Sequence, residues 1–364
     1  MSTADPPPPR DPRQRACDAP AGRLVALSGD GAARGSVHGE ELREPIAEAL
    51  ERWRHAIGER NGLDPENYIQ NFLRSTGFIK TVSRRCPDLF EEVRAIAIAS
   101  NQPVDDVLVY NFMDEEWIYA RNRNAGCSVI GTFIEPAGEV VLGQNLDLPK
   151  YMGGSQTILR IAAVGDDPEQ LVLTAAGIVG LLGVNAAGVA CCVNTLYGLS
   201  AAGDGMPVAF IIRQLLRHHD AASAGRYLMT LPHASGQHYG IGDRHGVSGY
   251  ECSAKGCVAG PIDDKLLHTN HPLWWPDHDV PDDGHPGTTE PRLRALEAGL
   301  DEVRRNGEIR TLLSSTANGL CAAPTPDKRS ATYCGAEFTL SAPPLVRVAL
   351  GPPNETAWQQ VDWS

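Results

Sequence analysis

Residues 124–134, Asn-Ala-Gly-Cys-Ser-Val-Ile-Gly-Thr-Phe-Ile, divide the 364-residue chain into two parts of different character. Before this stretch, apolar residues recur at helical spacing, for example Leu42, Ile46, Leu50 and Trp53. After it, short runs of β-branched and other apolar residues alternate with Gly and Pro, a pattern typical of strands. The junction falls at Cys127, which opens the first of these runs.

These patterns predict a mainly helical segment over 23–126 and a strand-rich segment over 127–364, which together form one compact α+β domain. Residues 1–22 are rich in Pro, Arg, Asp and Ala, and we expect a disordered tail. The predicted helices span 41–57, 68–83, 88–100, 105–117, 207–219, 223–231, 291–305 and 307–315. The predicted strands span 24–27, 127–134, 139–143, 156–163, 170–174, 178–184, 188–195, 238–242, 247–253, 265–269, 331–340 and 344–350. Because the chain has many short strands in succession and its helices come in pairs, the pattern favours a layered sandwich over alternating βαβ units.

Composition excludes several classes of function. The formal net charge of −13 argues against a nucleic-acid partner and against attraction to anionic lipid. The chain shows no GxGxxG or P-loop pattern, no secretory signal and no apolar run of membrane length. Its nine cysteines form no CxxC pair. We therefore expect a cytoplasmic enzyme with reduced thiols, no metal and no cofactor.

A cysteine that opens a strand after a glycine suggests one particular chemistry. If the Gly126–Cys127 bond is cut, Cys127 becomes N-terminal and its α-amine, which titrates near ~7.7–8, can accept the proton of its own thiol. Gly126 leaves room for the sulfur to attack the preceding carbonyl. A Gly-Cys dipeptide on a strand is by itself more often a packed thiol, so the dipeptide alone does not decide between the two.

A series of further motifs follows in order along the chain. They are Gly35-Ser-Val-His38-Gly39, Gly126-Cys127, Gly143-Gln-Asn-Leu-Asp147, Ala176-Gly-Ile-Val-Gly180, Gly183-Val-Asn-Ala-Ala-Gly188, Glu251-Cys-Ser253, His268-Thr-Asn270-His271 and Lys328-Arg-Ser-Ala-Thr332. With these motifs, residues 34–355 resemble the isopenicillin-N (6-aminopenicillanic acid) acyltransferase-like cysteine hydrolases of the N-terminal-nucleophile superfamily.

This resemblance implies a four-layer αββα sandwich, self-cleavage between Gly126 and Cys127, and an α/β heterodimer that could oligomerise further. It implies that Cys127 is the nucleophile and that its freed amine is the base. Asp147 would orient that amine, and Asn270 would donate to the oxyanion.

Four further residues are candidates for active-site support or substrate binding: Ser253, Arg329, His268 and His271. Read without the family, His268 and His271 could be metal ligands, but a third ligand is not evident. Read without the family, Arg329 would be an ordinary solvated side chain. The penicillin-acylating member of the family has serine where this chain has Lys328, and the added charge argues against that particular substrate and against acyl-CoA as the donor.

Three functions compete at this stage. The first is hydrolysis of the linear amide of an acylated small molecule through a Cys127 thioester. The second is transfer of the same acyl group, from acyl-CoA or an acyl-amide, to an amine. The third is a non-catalytic small-molecule binding protein, which is disfavoured because Cys127, Asp147 and Asn270 are all intact. We expect the hydrolase, since water needs no dedicated acceptor pocket.

Overall fold

The computed structural model describes residues 23–120, 126–275, 287–325 and 328–364. The predicted tail at 1–22 and most of the predicted loop at 276–290 lie outside the described residues. In the part of the chain that is described, no helix is long and apolar enough to cross a membrane.

Over the described residues 23–120 the chain forms one strand followed by seven helices. Polar caps start two of them: Asp30 accepts a hydrogen bond from the Ala33 N–H, and Asp64 from the Asn67 N–H, each satisfying a free amide of the first turn. The elements are β1 (Arg23–Leu27), α1 (Gly31–Glu41), α2 (Arg43–Asn61), α3 (Pro65–Ser75), α4 (Phe78–Arg85), α5 (Pro87–Ser100), α6 (Val104–Asn111) and α7 (Met113–Tyr119).

An eight-stranded sheet contains β1 and seven strands of the second part of the chain. β1 runs parallel to its neighbour β4, with Val25 opposite Leu159, and the other pairs are antiparallel. The order is β1–β4–β5–β6–β7–β8–β9–β10. Its later strands are β4 (Gln156–Ile161), β5 (Gln170–Ala175), β6 (Leu182–Asn185), β7 (Ala190–Thr195), β8 (Gln237–Asp243), β9 (Gly246–Ser253) and β10 (Gly256–Ala259).

A six-stranded antiparallel sheet holds the junction at Cys127. Its order is β11–β2–β3–β12–β13–β14, so the hairpin of β2 and β3 lies inside the sheet. The strands are β2 (Gly126–Ile134), β3 (Glu139–Pro149), β11 (Lys265–His268), β12 (Ser330–Thr339), β13 (Leu345–Ala349) and β14 (Gln359–Val361).

The two sheets stack face to face, and helices cover both outer faces. Between the sheets, a Cβ placed on Gly240 of β8 would lie 3.3 Å from Val129 of β2. On the eight-stranded side lie α8 (Val208–Leu215) and α9 (Ala221–Leu228), where Gly225 meets Tyr250 of β9. On the six-stranded side, α10 (Thr289–Asn306) and α11 (Ile309–Leu313) share an apolar cluster with β2 and β3. The predicted four-layer αββα sandwich is confirmed.

Several predicted elements differ from those observed. The helices predicted at 68–83 and 105–117 are each two helices, and α1, β10 and β14 were not predicted. Strand β3 continues to Pro149, so Asp147 lies within it rather than after it. Six buried cysteines are free, as predicted, but Cys252 and Cys257 form a disulfide across the β9–β10 hairpin.

Candidate active site

The hairpin of β2 and β3 places Cys127 and Asp147 next to each other. In its register Gly126 pairs with Asp147, and Cys127 pairs with Leu146. Directly paired residues point to the same face and successive residues alternate, so the Cys127 side chain and the Asp147 side chain point to opposite faces. The Cys127 side faces the eight-stranded sheet, because Gln144 on that face exchanges hydrogen bonds with the backbone of Val193.

Asp147 is buried on the face towards α10, beside Gly126. Its Oδ1 accepts a hydrogen bond of 2.6 Å from the hydroxyl of Thr332. A Cβ built on Gly126 would lie 3.0 Å from Asp147 Oδ2, so a larger residue would crowd the carboxylate. Burial raises the pKa of Asp147 to about 6, against the lowering effects of the Arg292 charge and the Thr332 hydrogen bond.

Asn270 reaches Cys127 from the loop that follows β11. Its Oδ1 accepts a hydrogen bond of 2.7 Å from the Cys127 N–H, and its Nδ2 donates to the Thr195 carbonyl at 3.1 Å. The Asn270 N–H is itself held by the Thr289 hydroxyl at 2.9 Å. Asn270 is fully buried, so its amide is fixed against the backbone nitrogen of Cys127.

Cys127, Asp147 and Asn270 form a cluster to which the structure adds a fourth residue, Arg292. Sequence analysis did not find it. Its Nη1 donates to the Cys127 carbonyl oxygen and, at 3.0 Å, to Ser128 Oγ. Its Nη2 donates to Asn270 Oδ1 at 2.8 Å. The side chain is 1% exposed. One signal could have revealed it, because Arg292 occupies the stripe of α10 that otherwise buries Leu296, Leu300 and Val303.

The thiol of Cys127 is held in its protonated form. Burial raises its pKa to about 12, and the charge of Asp147 adds to this effect. The backbone N–H of Asp147 and the charge of Arg292 act in the opposite direction. At neutral pH the thiol therefore needs a base before it can act as a nucleophile.

His268 supports the Asn270 loop, and its ring nitrogens contact the Thr269 carbonyl and Glu251 rather than Cys127. Its Nε2 lies 2.9 Å from Glu251 Oε1, and its ring stacks on His238 with centroids 3.7 Å apart. Glu251 also accepts hydrogen bonds from the backbone N–H groups of residues 273–275. Although burial opposes ionisation, the hydrogen bonds from His268 and the backbone keep the pKa of Glu251 below its usual range. This carboxylate therefore fixes the loop on both sides of Asn270.

The other three candidates lie in different surroundings. His271 contacts the hydroxyl of Thr289 at 2.9 Å, and Thr289 in turn holds the Asn270 N–H. Ser253 is buried at the β9–β10 turn, where its hydroxyl accepts from the Lys255 N–H at 3.1 Å. Arg329 is exposed at the start of β12. The structure thus brings His268 and His271 to the Asn270 loop, whereas the buried arginine at the cluster is Arg292.

Two cavities flank the cluster. A small one of about 20 Å³ lies on the thiol side, lined by Cys127, Asp114, Thr195 and apolar side chains of α7, β3 and α8. A larger one of about 430 Å³ is lined by Thr288, Pro291, Cys321, Thr325 and Lys328, among others. The second cavity adjoins the Asp147 side, since Ala322 in its wall donates to the Thr332 hydroxyl.

The profile of the acyl-coenzyme A:6-aminopenicillanic acid acyl-transferase family matches residues 136–328, just over half of the chain. The chain belongs to this family. Its 23% identity to the 40 kDa form of acyl-coenzyme A:6-aminopenicillanic-acid-acyltransferase from Emericella nidulans extends over 255 residues, 68% of this chain and 69% of the relative. Asp147, Asn270 and Arg292 lie within the range matched by the family, and Cys127 precedes it. The family match therefore does not test Cys127 as the nucleophile, which stays a prediction.

Solved structures of amide-cleaving enzymes are also similar. The Caenorhabditis elegans ortholog of N-acylethanolamine-hydrolyzing acid amidase is 15% identical, with a TM-score of 0.42, over 58% of this chain and 92% of the other. Penicillin V acylase from Agrobacterium tumefaciens is 14% identical, with a TM-score of 0.40, over 65% of this chain and 86% of the other. Both similarities are remote.

Proposed function

We propose that the protein is a self-activating cysteine amide hydrolase with Cys127 as its nucleophile. The observation that carries this proposal is a pair of hydrogen bonds to the backbone of Cys127. The Asn270 side chain accepts one from its N–H, and Arg292 donates the other to its carbonyl oxygen. A packed structural thiol needs no such fixation of its backbone. Here the fixation sets the direction of the sulfur relative to the preceding peptide bond.

Activation begins at that peptide bond. The Cys127 sulfur adds to the carbonyl carbon of Gly126, and the C–N bond breaks as the Cys127 nitrogen takes up a proton. Water then hydrolyses the resulting thioester and leaves Gly126 as a carboxylate and Cys127 as a new N-terminus. The closeness of Asp147 Oδ2 to Gly126 favours glycine there and keeps a carboxylate beside the reacting carbonyl.

In turnover, the freed α-amine serves as the base that the thiol needs. Its pKa near ~7.7–8 leaves roughly a tenth of it unprotonated at pH 7, and this fraction, which grows at higher pH, can accept the proton. The thiolate attacks the substrate carbonyl, the amine product leaves, and water resolves the thioester. Asn270 has a second amide proton besides the one given to Thr195, and we assign that proton to the oxyanion, an interaction of ~2.7–4 kcal/mol.

The family match favours an acylated small molecule as substrate. The wall beside the thiol is mostly apolar, with side chains such as Met113, Leu146 and Ile212, but its volume of about 20 Å³ is close to that of one water molecule, so the wall must open before an acyl group can enter. Lys328 lines the larger cavity on the Asp147 side and would complement an anionic group of a ligand there. Acyl transfer is the second candidate, because an amine can capture the same thioester. The match to an acyltransferase family favours it.

Self-cleavage is tested by the intact mass of the purified protein under denaturing conditions. We expect two fragments, one ending at Gly126 and one beginning at Cys127. Cys127→Ala should remain a single inactive chain, whereas the matched variant Cys86→Ala, which removes another buried thiol, should be processed normally. An active wild-type protein found as one uncut chain contradicts the proposed mechanism.

Hydrolysis and transfer are separated by the products of a panel of N-acyl amides, with and without added primary amines. We expect a transient acyl adduct on the fragment that begins at Cys127, followed by free acid, even when the amine is present. If the new amide dominates as soon as an amine is added, the protein is an acyltransferase. If no adduct forms with any acyl-amide, the amide substrate class is wrong although processing still occurs.

A further inference from the structure

The β9–β10 hairpin carries two cysteines on one face, away from the nucleophile. Cys252 and Cys257 are direct partners in the antiparallel register and are joined as a disulfide. Cys252 is fully buried and Cys257 is half-buried, so the pair can be reached from the Cys257 side. Neither cysteine takes part in the chemistry proposed for Cys127.

A buried histidine faces this pair. His233, in the segment between α9 and β8, is 2% exposed. Its Nε2 lies 3.1 Å from the Leu228 carbonyl oxygen, which requires a proton on that nitrogen. Its Nδ1 is buried without a hydrogen-bond partner among the described residues. The ring therefore presents a bare lone pair inside the protein, and a buried polar atom of this kind is costly unless something binds it.

A nitrogen of the His233 ring and the two sulfurs form a compact set of ligand atoms. One nitrogen of His233 and both Sγ atoms lie within 4.8 Å of one another. Ligand atoms around a tetrahedral zinc ion are about 3.3–3.8 Å apart, so small side-chain rotations bring this set to bonding distance. The Leu228 carbonyl supplies the support that metal-bound histidines ordinarily have, a hydrogen bond on the other ring nitrogen.

We propose that Cys252, Cys257 and His233 bind a thiophilic d10 cation, Zn²⁺ in the first place, when the disulfide is reduced. A dithiol or phosphine reductant supplies two electrons and is itself oxidised, and two protons convert the disulfide into two thiols. The ion then binds both sulfurs and releases both protons. Two thiolates and one imidazole are a donor set suited to this ion, and the half-buried Cys257 side leaves the fourth position to water.

Such an ion would join two parts of the fold. His233 forms an isolated β-bridge with Met206, just before α8, while the cysteines belong to the sheet hairpin. The sequence did not predict this site. The two cysteines are five positions apart rather than in a CxxC pair, and the histidine comes from a different segment of the chain. Only the fold brings the three together.

The test is zinc binding by protein without a histidine tag, in its reduced and oxidised forms. The titration uses Zn²⁺ against a chromophoric chelator, with Co²⁺ as a spectroscopic probe of thiolate ligation. It is run in a Cys127→Ala background, because a free N-terminal cysteine binds metals through its own amine and thiol. We expect one Zn²⁺ per reduced chain and no comparable binding by oxidised protein.

Three variants in the same background complete the experiment. Cys257→Ser and His233→Asn should each weaken zinc binding by at least ~100-fold and remove the thiolate-to-cobalt charge-transfer band or alter it, whereas Cys86→Ser should bind as the parent does. Equal zinc binding by the reduced and oxidised parent, a comparison that needs no variant to fold, overturns the proposal. Full binding by His233→Asn also overturns it, because the two thiols alone would then account for the bound zinc.

Discussion

The Asp147 carboxylate is buried, and burial opposes its ionisation. Burial alone raises its pKa, and two neighbours oppose this, Arg292 through its charge and Thr332 through a hydrogen bond. The resulting pKa of about 6 leaves the group mostly ionised at pH 7 but protonated in mild acid. If the ionised form orients the Cys127 amine, the enzyme loses activity as the pH falls through this value.

Thr332→Val tests the role of that charge while keeping the shape of the side chain. Loss of a hydrogen bond to an ionised group favours the protonated acid, so the pKa of Asp147 should rise by about one unit. Because the α-amine already titrates near ~7.7–8, Asp147 should add a second, lower break to the acid limb of the pH profile of kcat/KM, and we expect this lower break to move to higher pH by that amount. A lower break that stays in place, or moves to lower pH, would mean that Asp147 does not control this ionisation.

Residue patterns predicted part of the cluster and missed part of it. Cys127, Asp147 and Asn270 were predicted as one site, and the structure brings them together, although their catalytic roles stay predictions. Arg292 was missed because an arginine within an amphipathic helix is ordinarily read as solvated. Its place on the apolar stripe of α10 is consistent with burial, and the packing of α10 against β2 establishes it. Arg329, chosen from its motif, is exposed.

The pairing of α1 with α5 depends on three glycines spaced four residues apart. A Cβ on Gly31, Gly35 or Gly39 would come within 1.8, 2.1 or 2.6 Å of a backbone oxygen of α5. This contact has a consequence beyond packing, because His38 on α1 accepts a hydrogen bond of 3.0 Å from the Gly177 N–H. The helix pair therefore fixes the turn that follows β5.

Gly35→Ala should destabilise the protein even though alanine favours helices. The added methyl group must displace the backbone of α5 at Glu92, and we expect a loss of ~1–3 kcal/mol or more in the free energy of unfolding. Gly58→Ala in α2 is the matched control, since its Cβ would meet only the Leu63 carbonyl at 3.8 Å. That variant should gain ~0.5–1 kcal/mol. Urea unfolding of both variants checks the prediction, and equal effects would exclude the close contact as the cause.

The same glycines explain why α1 was not predicted from the sequence. Gly is a poor helix former, and the segment 31–41 shows no apolar stripe of the usual kind because backbone rather than side chains makes the contact. The helix predicted at 68–83 breaks at Gly77, whose N–H bonds to the Gly203 carbonyl. Both differences arise from tertiary contacts, and a pattern of local propensity does not contain them.

At the scale of the whole molecule, cleavage before Cys127 would cut the chain without separating its parts. β1 is an integral strand of a sheet that otherwise comes from the second fragment. Asp114 of α7 accepts a hydrogen bond from Thr195 across the same boundary. We therefore propose that the mature protein is a heterodimer of the two fragments.

A buried ion network also joins the two fragments. Glu92 of α5 is fully buried and lies between two arginines, Arg34 of its own fragment at 2.7 Å and Arg213 of the other at 2.8 Å. Although burial opposes ionisation, these arginines keep the pKa of Glu92 below its usual range. Its contribution to stability is therefore present above pH ~4.3 and is lost as the pH falls below that value.

Glu92→Gln should weaken the association of the processed fragments, because it leaves the buried Arg213 of the second fragment without the counter-charge of Glu92, while Arg34 keeps its ion pair with Asp88. Breaking a buried ion pair from one side costs ~3–5 kcal/mol. We expect the processed wild type to elute as one species and to dissociate only on unfolding, whereas processed Glu92→Gln should separate at a lower urea concentration.

Glu91→Gln is the matched control on the same helix, since Glu91 pairs with Arg94 at the surface, where an ion pair contributes ~0–1 kcal/mol. Native mass spectrometry along a urea series measures both variants. If both dissociate at the urea concentration of the wild type, the fragments are held by the sheet and not by this ion network.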